Sequence, residues 1–319
     1  MILPNNITPS LCCIHTGLQE QKIKFNVMTY AQYNKLGKKT AMKVLADRSL
    51  NNIKTIHSIV KECAKNKWNY RIGSNVFPLM THPDLKFAVN DFYNADEILT
   101  EFSAASQTIK QSNVRCSMHP DQFVVPASPN PKVVKNAIRD LEQHAMIMDM
   151  LDLPQSYEAP INIHMNCYNE GKFGEVVDRL EKVLKQLSKS VTSRLVFENE
   201  DKGKSWNTEL LYEHAYKRIN IPITYDSHHH RCGNTYGNLN PEQACELART
   251  TWGNYKPLFH FSNGKKSPSD RAHSDYVYEL HDELFKHPTD VDFEFKLKEQ
   301  SINAYLEKYA THNTACGVL

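Results

Sequence analysis

A chain of 319 residues with 40% hydrophobic and 23% charged residues has apolar material for one large folded core and does not have the composition of a disordered polymer. A formal charge of +2 excludes the strongly basic type of nucleic-acid binder, but not attraction confined to a cleft or one basic loop. Eight cysteines, at positions 12, 13, 63, 116, 167, 232, 245 and 316, form no CxxC pair and no dense framework, which excludes a small disulfide scaffold and points to a reducing compartment.

The opening stretch MILPNNITPSLCC lacks a basic region followed by a full apolar one, and no apolar run of about 18 residues occurs later. A soluble intracellular protein is expected, away from membranes and with no obligate protein partner. It would be cytoplasmic in a prokaryote, and nuclear or mitochondrial in a eukaryote.

The first strand signal, ITPSLCCI at 7–14, is weakened by Pro9, which removes a donor and must sit near a strand end or edge. Residues 17–40 read as an insertion or loop, and 41–66 repeat apolar side chains every three or four positions, as a helix does. Strand-like NYRIGSN follows, then a helical pattern at 91–111, VRCSMH, a strong helix at 131–151, and PINIHM. The cadence continues with helical 172–190 before RLVFEN, 206–219 before IPITYD, 241–250 before PLFHFS, and 272–286 before DVDFEF. A last polar helix covers roughly 298–308, and 309–319 read as a peripheral tail. About eight strands alternating with eight helices call for parallel strands joined by helical crossovers. A single-domain TIM-like (β/α)8 barrel spanning 1–319 accounts for the count without leaving edges, with a doubly wound open sheet as the alternative.

Several strand runs end on an acid or an imidazole: His119 after VRCSM, His164 after PINI, Glu198 after RLVF, Asp226 and His229 after IPITY, His260 after PLF and Glu294 after DVDF. From His119 to Glu294 the successive gaps are 45, 34, 28, 34 and 34 residues, taking His164, Glu198, Asp226 and His260 in turn. Each gap is about one helical crossover, so a parallel sheet brings these side chains to its carboxyl edge, where α/β folds place their chemistry. Imidazole nitrogen and carboxylate oxygen suit Zn²⁺ or Mn²⁺, and a shared carboxylate can hold two cations near one another.

Singly, each residue has an ordinary reading. His119 can cap the turn at Pro120, His164 can be a satisfied core histidine, and Asp226 can cap a helix. Glu198 can belong to a solvated FENED rim, His260 can pair with backbone, and Glu294 can pair with Lys296 or Lys298. Of the three adjacent histidines, His229 is the metal candidate, because neighbouring side chains diverge. His273, beyond a polar loop, can bind a metal or phosphate or be an exposed loop histidine, and His82, before Pro83, also has a structural reading. Lys265, Lys266 and Arg271 in GKKSPSDR are candidate phosphate contacts.

At RIGSNVFPLMTHP, SMHPDQFVVPASPNP, FENED, YDSHHH and EFKLKEQ the chain resembles the UV damage endonuclease family, in consistent order from about residue 68 to 300. The resemblance implies a metal-dependent β/α barrel related to endonuclease IV that cuts DNA immediately 5′ to cyclobutane dimers and 6-4 photoproducts. It implies a cluster of two or three divalent ions, commonly manganese, held by His119, His164, Glu198, Asp226, His229, His260, His273 and Glu294. Glu198 would bridge metals, and Glu198, Asp226 and Glu294 would carry the catalytic burden. His82 matches a residue of the DNA-facing shell, and Gln122 with Phe123 match a paired lesion probe whose second member is often tyrosine.

Two positions depart from the family pattern. Leu258 stands where a lysine usually precedes the histidine matched by His260, which weakens or rearranges a third metal site. Near the N-terminus, PSLCCIHTG only loosely represents a Gly-Tyr segment followed by asparagine, with His15 in the asparagine's place. The rival functions are an apurinic-site endonuclease using the same metals, a metal-dependent sugar isomerase with a narrow pocket, and a non-enzymatic damaged-DNA binder in which His119, Glu198 and Glu294 lie far apart.

Overall fold

The computed structural model describes residues 7–168, 170–202, 205–233 and 237–314, so positions 315–319 of the expected tail and Cys316 lie outside the described residues. Eight strands run through it: β1 (Ile7–Cys13), β2 (Asn69–Ile72), β3 (Cys116–Met118), β4 (Ile161–His164), β5 (Leu195–Glu198), β6 (Ile223–Thr224), β7 (Leu258–Phe261) and β8 (Thr289–Phe293). Every pairing is parallel and the order is β6-β5-β4-β3-β2-β1-β8-β7. The chain forms a TIM-like (β/α)8 barrel. Pro9 lies one residue before the β1–β2 ladder begins at Ser10, so its missing donor costs that ladder nothing.

The last seam, between β6 and β7, is closed differently from the others. A single parallel bridge joins Asp226 to His260, with His260 N–H donating to the Tyr225 carbonyl at 2.9 Å. Below it the Ile223 amide and carbonyl, which face β7 rather than β5, are met by side chains. Ile223 N–H donates to Thr251 Oγ1 and the Trp252 indole donates to the Ile223 carbonyl, both at 2.8 Å. Buried backbone groups must be paired, and here the turn after a helix supplies what a strand would elsewhere.

The region read as an insertion contains two short helices, α1 (Thr16–Glu20) and α2 (Tyr30–Leu36), ahead of α3 (Lys38–Asn66). α3 buries Leu45, Ile53, Ile56 and Val60 in the same core as Ile98, Phe102 and Ile109 of α4 (Ala95–Ser112). α5 (Pro131–Met150) starts where Asn130 caps the amide of Lys132 and Pro131 takes the first turn, a position that needs no donor. The 172–190 pattern divides into α6 (Phe173–Leu184) and α7 (Lys189–Thr192). The 206–219 pattern is α8 (Thr208–Leu210), a π-helical turn at Leu211–Tyr216 and α9 (Lys217–Ile219). After β6 comes α10 (Ser227–Gly233), which carries the three histidines and which the expected strand–helix cadence did not include. α11 (Pro241–Thr250) opens with a capping box at Asn240, and α12 (Lys298–Thr314) extends past the expected end of the last helix.

One expected helix does not form. Residues 272–286 contain only a 3-10 turn at Asp282–Phe285. Asn263 Oδ1 takes the amides of Tyr278 and Glu279, at 3.0 and 3.3 Å, and the Ser274 amide donates to the Asn263 carbonyl at 2.8 Å. A single asparagine thus satisfies backbone groups that a helix would otherwise pair internally, and tertiary hydrogen bonding overrides the periodic pattern.

The seam makes a checkable claim about Thr251. Thr251→Val keeps the shape but leaves the buried Ile223 amide without its acceptor. It should cost about 2 kcal/mol of unfolding free energy, read as a lower denaturant midpoint with an unchanged slope. An unchanged midpoint would remove this side chain from the closure.

Candidate metal centre

Parallel strands all end at one rim, and the period of two along each strand selects which side chains enter the barrel. Glu198, the last residue of β5, stands at the middle of that rim and is 1% exposed. His119, just past β3, places Nε2 at 2.9 Å from Glu198 Oε2, and His164, ending β4, lies with Nε2 3.7 Å from Oε1. His229 Nδ1 is 3.0 Å from Glu198 Oε1, while His260 Nδ1 is 3.1 Å from Oε2. Four imidazoles from four parts of the chain therefore surround one carboxylate.

Asp226 adds a second acid. Its Oδ1 accepts the His229 amide at 2.7 Å, capping the first turn of α10, and its Oδ2 lies 3.7 Å from His229 Nδ1 and 3.9 Å from His260 Nδ1. The helix-capping reading and the ligand reading are compatible, one for each oxygen. Because α10 turns by about 100° per residue, its histidines face three ways. His229 faces Glu198; His228 sits beside Cys232 and the His273 ring; His230 packs its ring near Tyr225.

Glu294, one residue past β8, has Oε1 3.4 Å from His260 Nδ1 and accepts a hydrogen bond from Arg71 on β2. The partner is that arginine, in place of the expected Lys296 or Lys298. His273 joins the edge of the cluster, its Nδ1 2.6 Å from the Glu294 carbonyl and 3.8 Å from Oε2. All eight predicted ligands are thus brought together in one connected group.

The outlying predictions fall as follows. His82 stacks on Tyr30 with ring centroids 3.9 Å apart, and its Nδ1 accepts the Asp84 amide; these contacts are not with the cluster. Gln122 and Phe123 lie on the loop that begins with His119, and Phe123 is 77% exposed. Lys265 and Lys266 are exposed with no ion pair among the described residues, whereas Arg271 is exposed but pairs with Asp201. Leu258 is buried on β7, two residues below His260, and offers no ligand atom. His15 caps α1 by accepting the Leu18 amide at 3.3 Å and lies 3.3 Å from Glu299.

Sequence reasoning missed the supports. Asn162 donates to Glu198 and approaches His260 Nε2 at 3.4 Å; Asp292 faces the same nitrogen at 3.4 Å; Arg71 reaches both Asp292 and Glu294. A signal existed: Asn162 and Asp292 lie two positions before His164 and Glu294, on the same strand faces.

The electrostatics follow from packing acids and imidazoles in a dry rim. Burial alone would raise the Glu198 carboxyl, but His260, His164, His119 and His229 hold it well below the usual range. Burial pushes His164 down to about 4. It also acts against the proton on His260, yet Glu198, Glu294 and Asp292 outweigh it and bring that imidazole up to about 9. His229 is likewise raised, burial being overcome by Asp226 and Glu198. Without cations, protons on these two rings supply the positive charge the carboxylates need.

Buried Glu198 Oε1, Asp226 Oδ2, His164 Nδ1 and His260 Nδ1 have no hydrogen-bond partner, and an unpaired buried polar atom is costly. Two triads, His119–His164–Glu198 and Glu198–Asp226–His260, each offer three ligand atoms within 4.8 Å of one another. This mixed nitrogen and oxygen set, without a thiolate, fits divalent cations of the zinc or manganese kind.

An α/β barrel with a rim cluster of imidazoles and carboxylates defines a class of enzymes suited to metal-assisted hydrolysis or isomerisation. Comparison with known proteins narrows it. The family model described as UV-endonuclease UvdE matches residues 10–316. A UV DNA damage endonuclease from Nostoc sp. (strain PCC 7120 / SAG 25.82 / UTEX 2576) is 30% identical over 288 residues, covering 89% of this chain and 85% of that protein. The chain belongs to the UV damage endonuclease family, and is a DNA repair nuclease. Among solved structures, that of SacUVDE matches with a TM-score of 0.80 at 23% identity, covering 96% of this chain and 99% of that one. Endonuclease IV from Thermus thermophilus matches with a TM-score of 0.55 at 12% identity over 80% and 93%. At those identities both similarities speak to the fold. No helix among the described residues is long and apolar enough to cross a membrane, and the described cysteines are free thiols.

The raised imidazoles give the pH dependence a definite sign. A base whose folded pKa lies above its unfolded value stabilises the fold below the unfolded pKa and loses that contribution as pH rises through the folded one. Chelator-treated protein should therefore lose thermal stability between about pH 6.5 and about pH 9, the interval set by His260. Protein loaded with Mn²⁺ or Zn²⁺ should not, because a ligating imidazole is already neutral. Parallel melting curves with and without metal across that interval would contradict the proton-holding role.

Proposed function

We propose that this nuclease hydrolyses the DNA strand at the phosphodiester immediately 5′ to cyclobutane pyrimidine dimers and 6-4 photoproducts, using two or three divalent ions, with manganese favoured over zinc. The convergence of both donor triads on Glu198 is the observation that carries this reading. His119, His164, Glu198, Asp226, His229, His260, His273 and Glu294 would hold the ions. Cations bound there would supply an activated water, neutralisation of a nonbridging phosphate oxygen and stabilisation of the departing 3′ oxygen.

The protein's own residues then position and select. Asn162 fixes the orientation of Glu198, and Arg71 fixes that of Glu294, so neither acid must reorganise when a phosphate arrives. Asp226 has one oxygen committed to α10 and the other turned toward His229 and His260, an arrangement suited to orienting the attacking water together with Glu294. With Leu258 in place of the family's usual lysine, that position offers no ligand atom to a third ion.

Recognition would use the exposed rim. A photoproduct weakens stacking and lowers the cost of kinking the duplex, so damage is read as deformability. Phe123, largely exposed, offers a surface for unstacked bases, and Gln122 offers polar contacts in the space they vacate. Lys265 and Lys266 would meet phosphate; Arg271 would do so only by sharing its charge with Asp201. His82, stacked on Tyr30, fits a place in the DNA-facing shell by its own polar edge. The close packing of His119, Glu198 and Glu294 disfavours a non-enzymatic binder, and the family match disfavours a sugar isomerase.

End-labelled duplexes carrying one thymine dimer, one abasic site or no damage test the reading. A single cut 5′ to the dimer is expected, abolished by chelator and restored by Mn²⁺. No cutting with Mn²⁺, Zn²⁺ or Mg²⁺ would defeat the hydrolytic reading, and cutting confined to the abasic duplex would replace the substrate.

The probe has its own test. Replacing Gln122 and Phe123 together with alanine should lower dimer cutting about tenfold or more, the cost of losing base–aromatic stacking, while bound metal equivalents stay constant. Unchanged discrimination would reject the assigned pair.

A further inference from the structure

The segment bearing Gln122 and Phe123 has no helix or strand of its own, so its position over the rim must be fixed by other contacts. A turn in which Asp121 Oδ1 accepts the Phe123 amide, the burial of Val124 and Ala127 in the core, and Ser74 Oγ on the His119 carbonyl all hold it, and two further side chains reach its backbone from beyond β4. Asn166, two residues past β4, donates from Nδ2 to the Gln122 carbonyl at 2.9 Å. Arg179 on α6 donates from Nε to the Ala127 carbonyl at 2.8 Å, further along the same loop.

Asn166 is the more informative of the two. Its φ of 47° lies in the left-handed region, which asparagine tolerates better than other non-glycine residues. Its amide donates to Glu200 Oε1 at 2.7 Å, and the buried Glu200 carboxylate also accepts from Ser205 Oγ. The same corner is locked by the Glu200 amide on the Trp206 carbonyl at 2.9 Å and by the Trp206 indole on the Cys167 carbonyl at 2.8 Å. Glu200 stands two residues beyond Glu198. A continuous path of hydrogen bonds and short backbone therefore leads from the central carboxylate to the backbone of Gln122.

We infer that Asn166 is a positioning residue for lesion recognition: held in its left-handed conformation by Glu200, it sets the height of the Gln122–Phe123 segment relative to the cleavage centre. The inference rests on the reading of that pair as the lesion probe. An asparagine serving only its own turn would need a left-handed backbone, but not an amide group aimed at a carbonyl 44 residues earlier in the chain. The path also explains why Glu200 is an acid inside a buried corner: one oxygen holds Asn166 and the other holds Ser205.

The test is a double-mutant cycle on the full-length, Mn²⁺-loaded protein. Asn166→Gly keeps the left-handed backbone and deletes the donor. It should lower kcat/KM on a single-dimer duplex about five- to tenfold, the scale of one lost hydrogen bond, with metal equivalents and melting midpoint unchanged. In a Phe123→Ala background the same substitution should add little, because residues acting through one another are not additive. Glu200→Ala should behave like Asn166→Gly, and Glu200→Gln, which retains an acceptor, should restore most of the activity. If Asn166→Gly lowers the melting midpoint, Asn166→Asp, similar in size and lacking the N–H, takes its place in the cycle. An equal loss in both backgrounds, or none in either, overturns the inference. A Phe123→Ala defect beside a normal Asn166→Gly overturns it alone, whereas an undamaged Phe123→Ala activity removes the probe reading with it.

Discussion

A carboxylate sealed from water needs positive charge on every side, and Glu198 is the point at which this barrel meets that need. Its two oxygens face four imidazoles drawn from the ends of β3, β4 and β7 and from α10. Leaving that charge uncompensated would cost several kcal/mol. The same demand reaches outward: Glu294 is met by Arg71, and Asp292 faces both Arg71 and His260. Whether the neutralising charge arrives as protons or as divalent ions, the acids fix where it must go. The rim is therefore organised by electrostatics before any substrate is present.

Much of this was legible in the sequence because a parallel barrel repeats. Each crossover takes about the same length of chain, so acids and histidines at matching places in successive strand–helix units were bound to meet. His119, His164, Glu198, Asp226, His260 and Glu294 followed from strand-end spacing, His229 came with Asp226 at the same strand end, and His273 stood open between loop and ligand until the family motifs were taken into account. Less legible were residues whose role depends on a neighbour far away in the chain. Arg71 looks like one more strand residue until β2 and β8 are seen across the barrel interior. Asn162 and Asp292 were accessible through the period of two, but an amide and an extra acid give no warning of what they hold.

The failures have physical causes as well. The stretch 272–286 has apolar spacing that suits a helix, yet Asn263 and Gly264 commit its backbone to other partners and bring His273 to Glu294. An alanine methyl at Gly264 would stand 2.0 Å from the Ser267 carbonyl, so the fold of that loop depends on the missing side chain. In YDSHHHRC the strand–helix cadence included no helix, but Asp226 starts a helical turn whose geometry sends only His229 toward the centre. Local pattern decides an element only where distant groups do not compete for its amides.

The β6–β7 closure has a wider implication. Asp226 and His260 are at once the rung that joins the two ends of the sheet and members of a triad whose ligand atoms could hold a cation. Architecture and chemistry share those two positions, so neither can drift without disturbing the other. Anyone grafting this centre onto a foreign barrel would have to transplant the joint along with it, since a recipient scaffold already sealed by ordinary strand pairing has no vacancy for a rung built from these two residues.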